Sequence, residues 1–594
     1  MPSLSGWRVC GACALLLCAT SRVSAIPNTI NRAGELIVEP RPFDDEHRRQ
    51  LQEEDNPYTC KDNAKTGEED WKVMGTNIGG WLVLEPWITP SLFYQFLSAD
   101  QRFQEDVADK TSMDSRSFCV ALGNDEANKQ LRRHWREWVR EEDIRSIAET
   151  GANIVRVPVG DWMYMPYEPF IGCWDGALDE LERLLALCRK YNLKVLLDVH
   201  AMRGSQNGFD NSGHAMRVKW ETVTAQDPSG YATFVHWQYR SADWTGDYDY
   251  EHGKYTSTNQ ANINHSLAVL TKIIERHSGD PVVWGLEPVN EPWQMIPIDI
   301  IKKFYWDGYW ITRNGAPKWK YVMHDSFRGY PAAWWDFMKG CPNKAMDSHI
   351  YQAWNMPSKI DKYLENACNF KGGLQTMHDL LDMPMIVGEW SLATDNCAMW
   401  LNGFNDNLPG YPKVTCDMQP CAKPYMGAEQ PGAPPDPEEP LQGPYGTGVS
   451  GPQFGFCPVG FKWGTQEDAV MTTLAHNHLH AFNSVNGWIF WNFRTELEAK
   501  WSFLWAYRNG WFPRNVTDPK DQGVLDACKP DSAMMLPTVS SPSSTSVAAS
   551  PFAAVAVAVG ALVIVGAAAM LARRTRADSR EAEAEALAAP YESM

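Results

Sequence analysis

The sequence predicts an α/β protein built on a single (β/α)8 barrel with long loops on one face. Three observations carry that expectation. Short apolar runs recur along the chain and read as parallel strands buried on both faces. Amphipathic stretches with a 3.6-residue period lie between several of them. Polar residues stand where the runs stop, and a barrel of this kind holds its chemistry at the C-terminal ends of its strands.

Eight runs are identified: Val73–Gly79, Asn153–Pro158, Leu193–His200, Val282–Val289, Lys320–His324, Ala345–Ile350, Pro384–Gly388 and Gly487–Trp491. The stretch Leu178–Tyr191 places Leu181, Leu184, Leu185 and Cys188 on one helical face. Strands alternating with helical crossovers point to a closed parallel barrel. Two stretches exceed a minimal barrel. Residues 214–262 are an aromatic-rich insertion after the third strand, and residues 405–464 are Pro/Gly-rich and contain Cys416, Cys421 and Cys457. Loops of this length are usually functional or disordered.

Both ends of the chain read as addresses. Residues 1–25 carry Arg8, an apolar stretch and the small residues Val23-Ser24-Ala25, the pattern of a secretory signal peptide. Residues 26–70 are polar and acid-rich, a flexible segment. The barrel domain is expected over 71–530, and a Ser/Thr/Pro-rich stalk over 531–551. Residues 552–572 are apolar and long enough to span a bilayer, with Arg573, Arg574 and Arg576 following as a cytoplasmic flank. The tail 573–594 is polar, unlike the apolar end of a lipid-anchor signal. The expectation is a monomeric, single-pass type I protein of the plasma membrane with its bulk outside the cell.

The chain has 594 residues, 44% of them hydrophobic, enough for a large core. A net charge of −19 without a Lys/Arg-rich stripe argues against nucleic acid as a partner. Eleven of the 14 cysteines lie beyond the signal segment, so an odd number leaves at least one free or paired between chains. Asn264-His-Ser and Asn515-Val-Thr are N-glycosylation acceptors by pattern.

Two of the strand-like runs deliver carboxylates. Pro281-Val-Val-Trp-Gly-Leu-Glu-Pro-Val-Asn-Glu-Pro292 ends on Asn290 and Glu291, and Met383-Pro-Met-Ile-Val-Gly-Glu-Trp390 on Glu389. A converging carboxylate pair is the equipment for cutting a glycosidic bond. Glu291 is the candidate general acid/base, with Asn290 placed for a substrate 2-hydroxyl. Glu287 lies four residues deeper and is read as structural. Glu389 is the candidate nucleophile and must be ionised, while Glu291 must hold a proton. Arg156, at the end of the second run, is expected to lower the pKa of Glu389. His200 and His349 stand at strand ends, Tyr351 beside them is placed to bond Glu389, and Trp491 is placed as a floor under the reacting sugar. His476, His478 and His480 do not form a complete metal set at helical spacing, and no metal or other cofactor is expected.

Several segments carry a resemblance to a known family. Gly75-Thr-Asn-Ile-Gly-Gly-Trp-Leu-Val-Leu-Glu-Pro-Trp-Ile-Thr-Pro90, Gly204-Ser-Gln-Asn-Gly-Phe-Asp-Asn-Ser-Gly213, Asn290-Glu-Pro292, Gly388-Glu-Trp-Ser391 and Trp400-Leu-Asn-Gly403 resemble the fungal-type exo-β-1,3-glucanases of glycoside hydrolase family 5. The resemblance covers about Trp71 to Cys528. It implies a retaining hydrolase with Glu291 as acid/base, Glu389 as nucleophile, and Arg156, His200, Asn290, His349, Tyr351 and Trp491 in the shared active-site set. It also implies that Glu85, Asp210 and Asn211 line the subsite for a terminal glucose, and that Phe209 and Trp354 form an aromatic pair at the cleft entrance. The second of that pair is often Phe in the family. The implied partner is a β-glucan, and no cofactor is implied. The two insertions and the membrane segment depart from the secreted pattern and leave exo-hydrolysis, endo-hydrolysis and transglycosylation open. A glucan-binding protein without chemistry is a rival of another class, which the presence of both carboxylates disfavours.

Overall fold

The computed structural model describes residues 57–60, 71–96, 112–215, 218–222, 232–236, 242–249, 252–355, 358–394, 398, 401, 442–443, 457–458, 466–496 and 498–529. The expected signal segment, stalk, membrane span and tail, and almost all of 405–464, lie outside them. Among the described residues, no helix is long and apolar enough to cross a membrane.

Eight strands close a parallel barrel: β1 (Val73–Asn77), β2 (Ile154–Gly160), β3 (Lys194–Ala201), β4 (Val283–Glu287), β5 (Lys320–His324), β6 (Lys344–His349), β7 (Met385–Glu389) and β8 (Gly487–Phe490). Each pairs with its neighbours in sequence, and β8 returns to β1. All eight predicted runs are strands, with ends moved by no more than two residues. The apolar runs belong inside because a parallel sheet wrapped by helices has no wet face.

One residue from each of seven strands meets in a single buried cluster: Val73, Ile154, Leu196, Val322, Ala345, Ile386 and Ile489. From β4, Trp284 packs on it together with Trp71, which precedes β1. The two indoles meet edge to face at 4.9 Å. Further along the strands the interior turns polar. Register sets Asn77 beside Arg156, Asp198 beside Glu287, Asp347 beside His324, and His349 beside Glu389. The barrel is therefore apolar where its strands begin and charged where they end.

The crossover between β2 and β3 is the helix Ala177–Lys190, with Leu181, Leu184, Leu185 and Cys188 all buried as their spacing predicts. Asp179 and Glu180 open it and Arg189 and Lys190 close it, the order that suits the helix dipole. Three further helices, Ser115–Leu122, Asn124–Trp138 and Glu141–Glu149, lie between β1 and β2.

The insertion after β3 is described in part. It forms the antiparallel pair Val218–Thr222 with Ala232–His236, then the short ribbon Tyr248–Asp249 with Lys254–Tyr255. Trp244 is fully buried against Phe304 and donates to the Ser266 hydroxyl at 2.9 Å. Disulfides join Cys60 to Cys341, Cys119 to Cys173 and Cys368 to Cys528. Cys188 is free and buried, and burial pushes its thiol well above its ordinary pKa.

Candidate active site

Arg156 organises the polar end of the barrel. It is the third residue of β2, not its end, and it is fully buried. Its Nε donates to Glu287 at 2.8 Å, Nη1 to Glu389 at 2.9 Å and Asn77 at 3.0 Å, and Nη2 to Asn290 at 2.7 Å. Asp198 lies 3.2 Å from Nη2. Burial disfavours the cation, but Asp198, Glu287 and Glu389 outweigh it and hold the guanidinium firmly charged. Glu287, read as structural from the sequence, is fully buried and bonded to Arg156.

Glu389 is the last residue of β7. The Tyr351 hydroxyl, just past β6, donates to its Oε2 at 2.7 Å. Glu291 lies four residues beyond the end of β4, so it is a loop residue and not part of the strand. Its backbone is left-handed (φ 41°), uncommon outside glycine. Asn211 donates to Glu291 Oε2 at 3.1 Å, and His349 Nδ1 lies 2.7 Å from Oε1. The same Nδ1 stands 3.3 Å from Glu389 Oε2. Two contacts of 2.7 and 3.3 Å share one nitrogen, so the two carboxylate oxygens stand no more than about 6 Å apart.

The protonation order differs from the sequence expectation. For Glu291, burial favours the neutral form, yet the His349 bond, the charges of His349 and His200, and the Asn211 bond outweigh it; its pKa falls below the ordinary value. For Glu389, burial wins over His349 and Arg156, and its pKa rises. Arg156 does pull in the expected direction, but its one charge is divided among three carboxylates. Burial works against a cation at His349, yet Glu389, Asp347 and Glu291 hold its pKa well above the ordinary value. These shifts favour a proton on His349, between the two glutamates.

His200 is held on both sides. Asn290 Nδ2 donates to its Nε2 at 3.4 Å, so a neutral ring carries its proton on Nδ1, which reaches Asp198 at 2.5 Å. The ring stacks on Trp491 at 5.4 Å and 4°. Trp491 follows β8 directly and is buried. A side chain at Gly79 would strike this indole within 2.7 Å, so the glycine is what lets Trp491 lie there.

The remaining predicted residues fall around this core. Glu85 is buried and accepts from Trp87 Nε1 at 3.2 Å. Burial, then the charges of Asp210 and Glu389, push its pKa well up. Burial lifts Asp210 to about 7, with Asp114 adding to the rise. Phe209 and Asp210 are half-buried on the loop after β3. Trp354 is half-buried and packs edge to face on Tyr351 at 5.3 Å, and both rings contact Trp501. Asn264, within the helix Gln260–His277, and Asn515 are both exposed.

Sequence reasoning missed Asn77, Asp198, His324, Asp347, Trp87 and Trp501. Asp198 carried a readable signal, since it shares strand parity with His200 inside an apolar run. Asn77 and Trp87 lay inside a segment singled out for other residues. Nothing local distinguishes Trp501.

Two groups of three donors converge within 4.8 Å, Glu291/His324/His349 and Glu287/Asp347/His349. Their chemistry does not suit a cation. His324 Nδ1 accepts from the Ser326 N–H at 2.9 Å, so its neutral ring carries the proton on Nε2 and has no lone pair there. At His349, shared by both groups, Glu389, Asp347 and Glu291 push the pKa well above the ordinary value, which favours a protonated ring over a metal ligand. The imidazoles of His476, His478 and His480 also diverge: His478 meets Gln352, and His480 meets the Val524 carbonyl.

The family description "Cellulase (glycosyl hydrolase family 5)" matches residues 121–407. The chain is 31% identical over 466 residues to a glucan 1,3-beta-glucosidase of Blumeria graminis, covering 76% of this chain and 88% of that protein. It is 30% identical over 462 residues to the enzyme of the same name from Yarrowia lipolytica, covering 74% and 88%. The chain belongs to glycosyl hydrolase family 5. This family 5 chain is a glycosidase, and its barrel carries two carboxylates at the strand ends, on β7 and past β4. A probable glucan 1,3-beta-glucosidase A of Emericella nidulans is similar at 30% identity, covering 75% of this chain and 91% of that protein.

Proposed function

We propose that the protein is a retaining exo-β-1,3-glucanase that releases glucose from the ends of β-1,3-glucan. The observation that carries this reading is the sharing of His349 Nδ1 by Glu291 and Glu389, which bounds their oxygens at about 6 Å. That bound on the nearest oxygens suits a retaining pair, whose carboxyl groups stand about 5–5.5 Å apart, better than an inverting pair at about 6.5–9.5 Å. The names of the relatives support the β-1,3 linkage.

Glu389 attacks the anomeric carbon and Glu291 protonates the departing oxygen. Water then cleaves the glycosyl-enzyme, with Glu291 as base. Tyr351 and Arg156 orient the nucleophile, and Asn290 and His200 face the sugar from the other side. Entry of the sugar between the glutamates separates the charges around His349. Transfer of its proton to Glu291 then provides the acid, and Glu389 is left ionised. Glu85, Asp210 and Asn211 bind the terminal glucose through their polar atoms. Trp491 is the floor, and Phe209 and Trp354 line the entrance. Asn264 and Asn515 carry glycans.

Three disulfides fit a protein folded in an oxidising compartment, in keeping with an extracellular or cell-wall enzyme. The composition of 552–576 supports a single C-terminal anchor that holds a monomer at the plasma membrane.

The test is a product time course on laminari-oligosaccharides with wild type, Glu389→Gln and Glu291→Gln. Early glucose with β configuration is expected from the wild type and none from Glu389→Gln. Glu291→Gln should retain only a residual rate, about 10²–10⁴-fold down. Early longer products, or α-glucose, would overturn the reading.

A further inference from the structure

We propose that the tyrosine ribbon in the insertion after β3 walls the leaving side of the cleft and binds the glucose units beyond the bond being cut. The proposal rests on the hydrolase reading above. A general acid stands beside the leaving oxygen, so what borders the Glu291 loop also borders the leaving chain.

The ribbon places Tyr248 directly opposite Tyr255. Their rings meet at 5.1 Å, and Tyr248 lies 4.5 Å and Tyr255 6.3 Å from Trp293. Trp293 is two residues past Glu291, and its N–H donates to the Gln206 carbonyl at 3.0 Å. Gln206 Nε2 in turn donates to the Asn290 carbonyl at 3.0 Å and the His200 carbonyl at 2.7 Å.

The stem of the ribbon is rooted on the other loop that reaches the acid. Asp243 N donates to the Gly204 carbonyl at 2.7 Å and Trp244 N to the Ser205 carbonyl at 3.1 Å. That loop continues to Asn211, which holds Glu291. The ribbon therefore adjoins the loop that carries Glu291 and the loop that carries its partner Asn211. Trp293 is buried against the two rings, and Tyr248 and Tyr255 are half-exposed. The Tyr255 hydroxyl donates to the Ala242 carbonyl at 2.9 Å, which fixes that ring, and the half-exposed Tyr248 ring matches the apolar face of a pyranose. The ligand class is a β-1,3-linked gluco-oligosaccharide of three or more units. An aryl glucoside has no sugar to place there.

The experiment compares the full chain with Tyr248→Ala and Tyr248→Phe, on laminari-oligosaccharides of increasing length and on an aryl β-glucoside. Tyr248→Ala should lose about three- to tenfold in kcat/KM on the longer oligosaccharides, the value of one aromatic contact. Its rate on the aryl glucoside should stay within about twofold of wild type, and Tyr248→Phe should keep most of the long-chain activity. Equal loss on both substrates, or no loss on the long ones, would overturn the ribbon's role while leaving the hydrolase reading intact. A wild type that cleaves neither substrate would overturn both.

Discussion

His349 touches both candidate carboxylates. Its Nδ1 lies within 3.3 Å of both glutamates, and one cation there lowers Glu291 while burial still raises Glu389. A second acidic pair, Glu85 and Asp210, behaves differently, because burial raises both. A raised carboxyl binds its proton in the folded state at a pH where the unfolded chain has lost it. Stability from that group is therefore present below about pH 4 and is lost as pH rises through about 7, the folded value of Asp210. Asp210→Asn should flatten this fall. Thermal unfolding at pH 4.5, 6 and 7.5 should show a smaller drop in Tm for the variant than for wild type, and an unchanged drop would refute the assignment.

At the scale of elements, the site depends on how closely neighbouring strands approach. Gly388 precedes Glu389 on β7, and Asp347 reaches across from β6. The Gly388 N–H donates to Asp347 Oδ1 at 2.5 Å, and an added Cβ would lie 1.8 Å from Asp347 Oδ2. Asp347 in turn stands 3.5 Å from His349 Nε2. Gly388→Ala should displace Asp347, lower stability by about 1–3 kcal/mol as overpacking does, and depress kcat more than it raises KM. Urea unfolding and steady-state kinetics on the same preparation check both parts. A stable, fully active Gly388→Ala would show that the contact does not matter.

Across the whole molecule, disulfides fix segments that the barrel alone does not hold. Cys368, on the helix Ile360–Leu381, is joined to Cys528 across 160 residues of sequence. A long closed loop restricts the unfolded chain strongly, and a bridge of this kind is typically worth about 2–4 kcal/mol. Cys368→Ser with Cys528→Ser should lower the urea midpoint accordingly and leave kcat at 25 °C within about twofold of wild type. An unchanged midpoint would mean that packing of the C-terminal segment suffices.

The barrel was legible because its signal is local. Each strand needs a run apolar on both faces, and each helix a periodic stripe, so the eight strands and the helix Ala177–Lys190 could be read from short windows. Glu291, Glu389, His200 and His349 were legible for the same reason: each stands in or just beyond such a run. Only the tertiary structure decided which groups share charge. Arg156 reaches Glu287, Glu389, Asn290 and Asp198 from three other strands and one loop, and no window of sequence contains more than two of these partners. Asp347 and Trp501 act through contacts of the same long range. How far burial and the neighbouring cations shift Glu291 and Glu389 depends on how those cations are divided, which is set only once the barrel has closed.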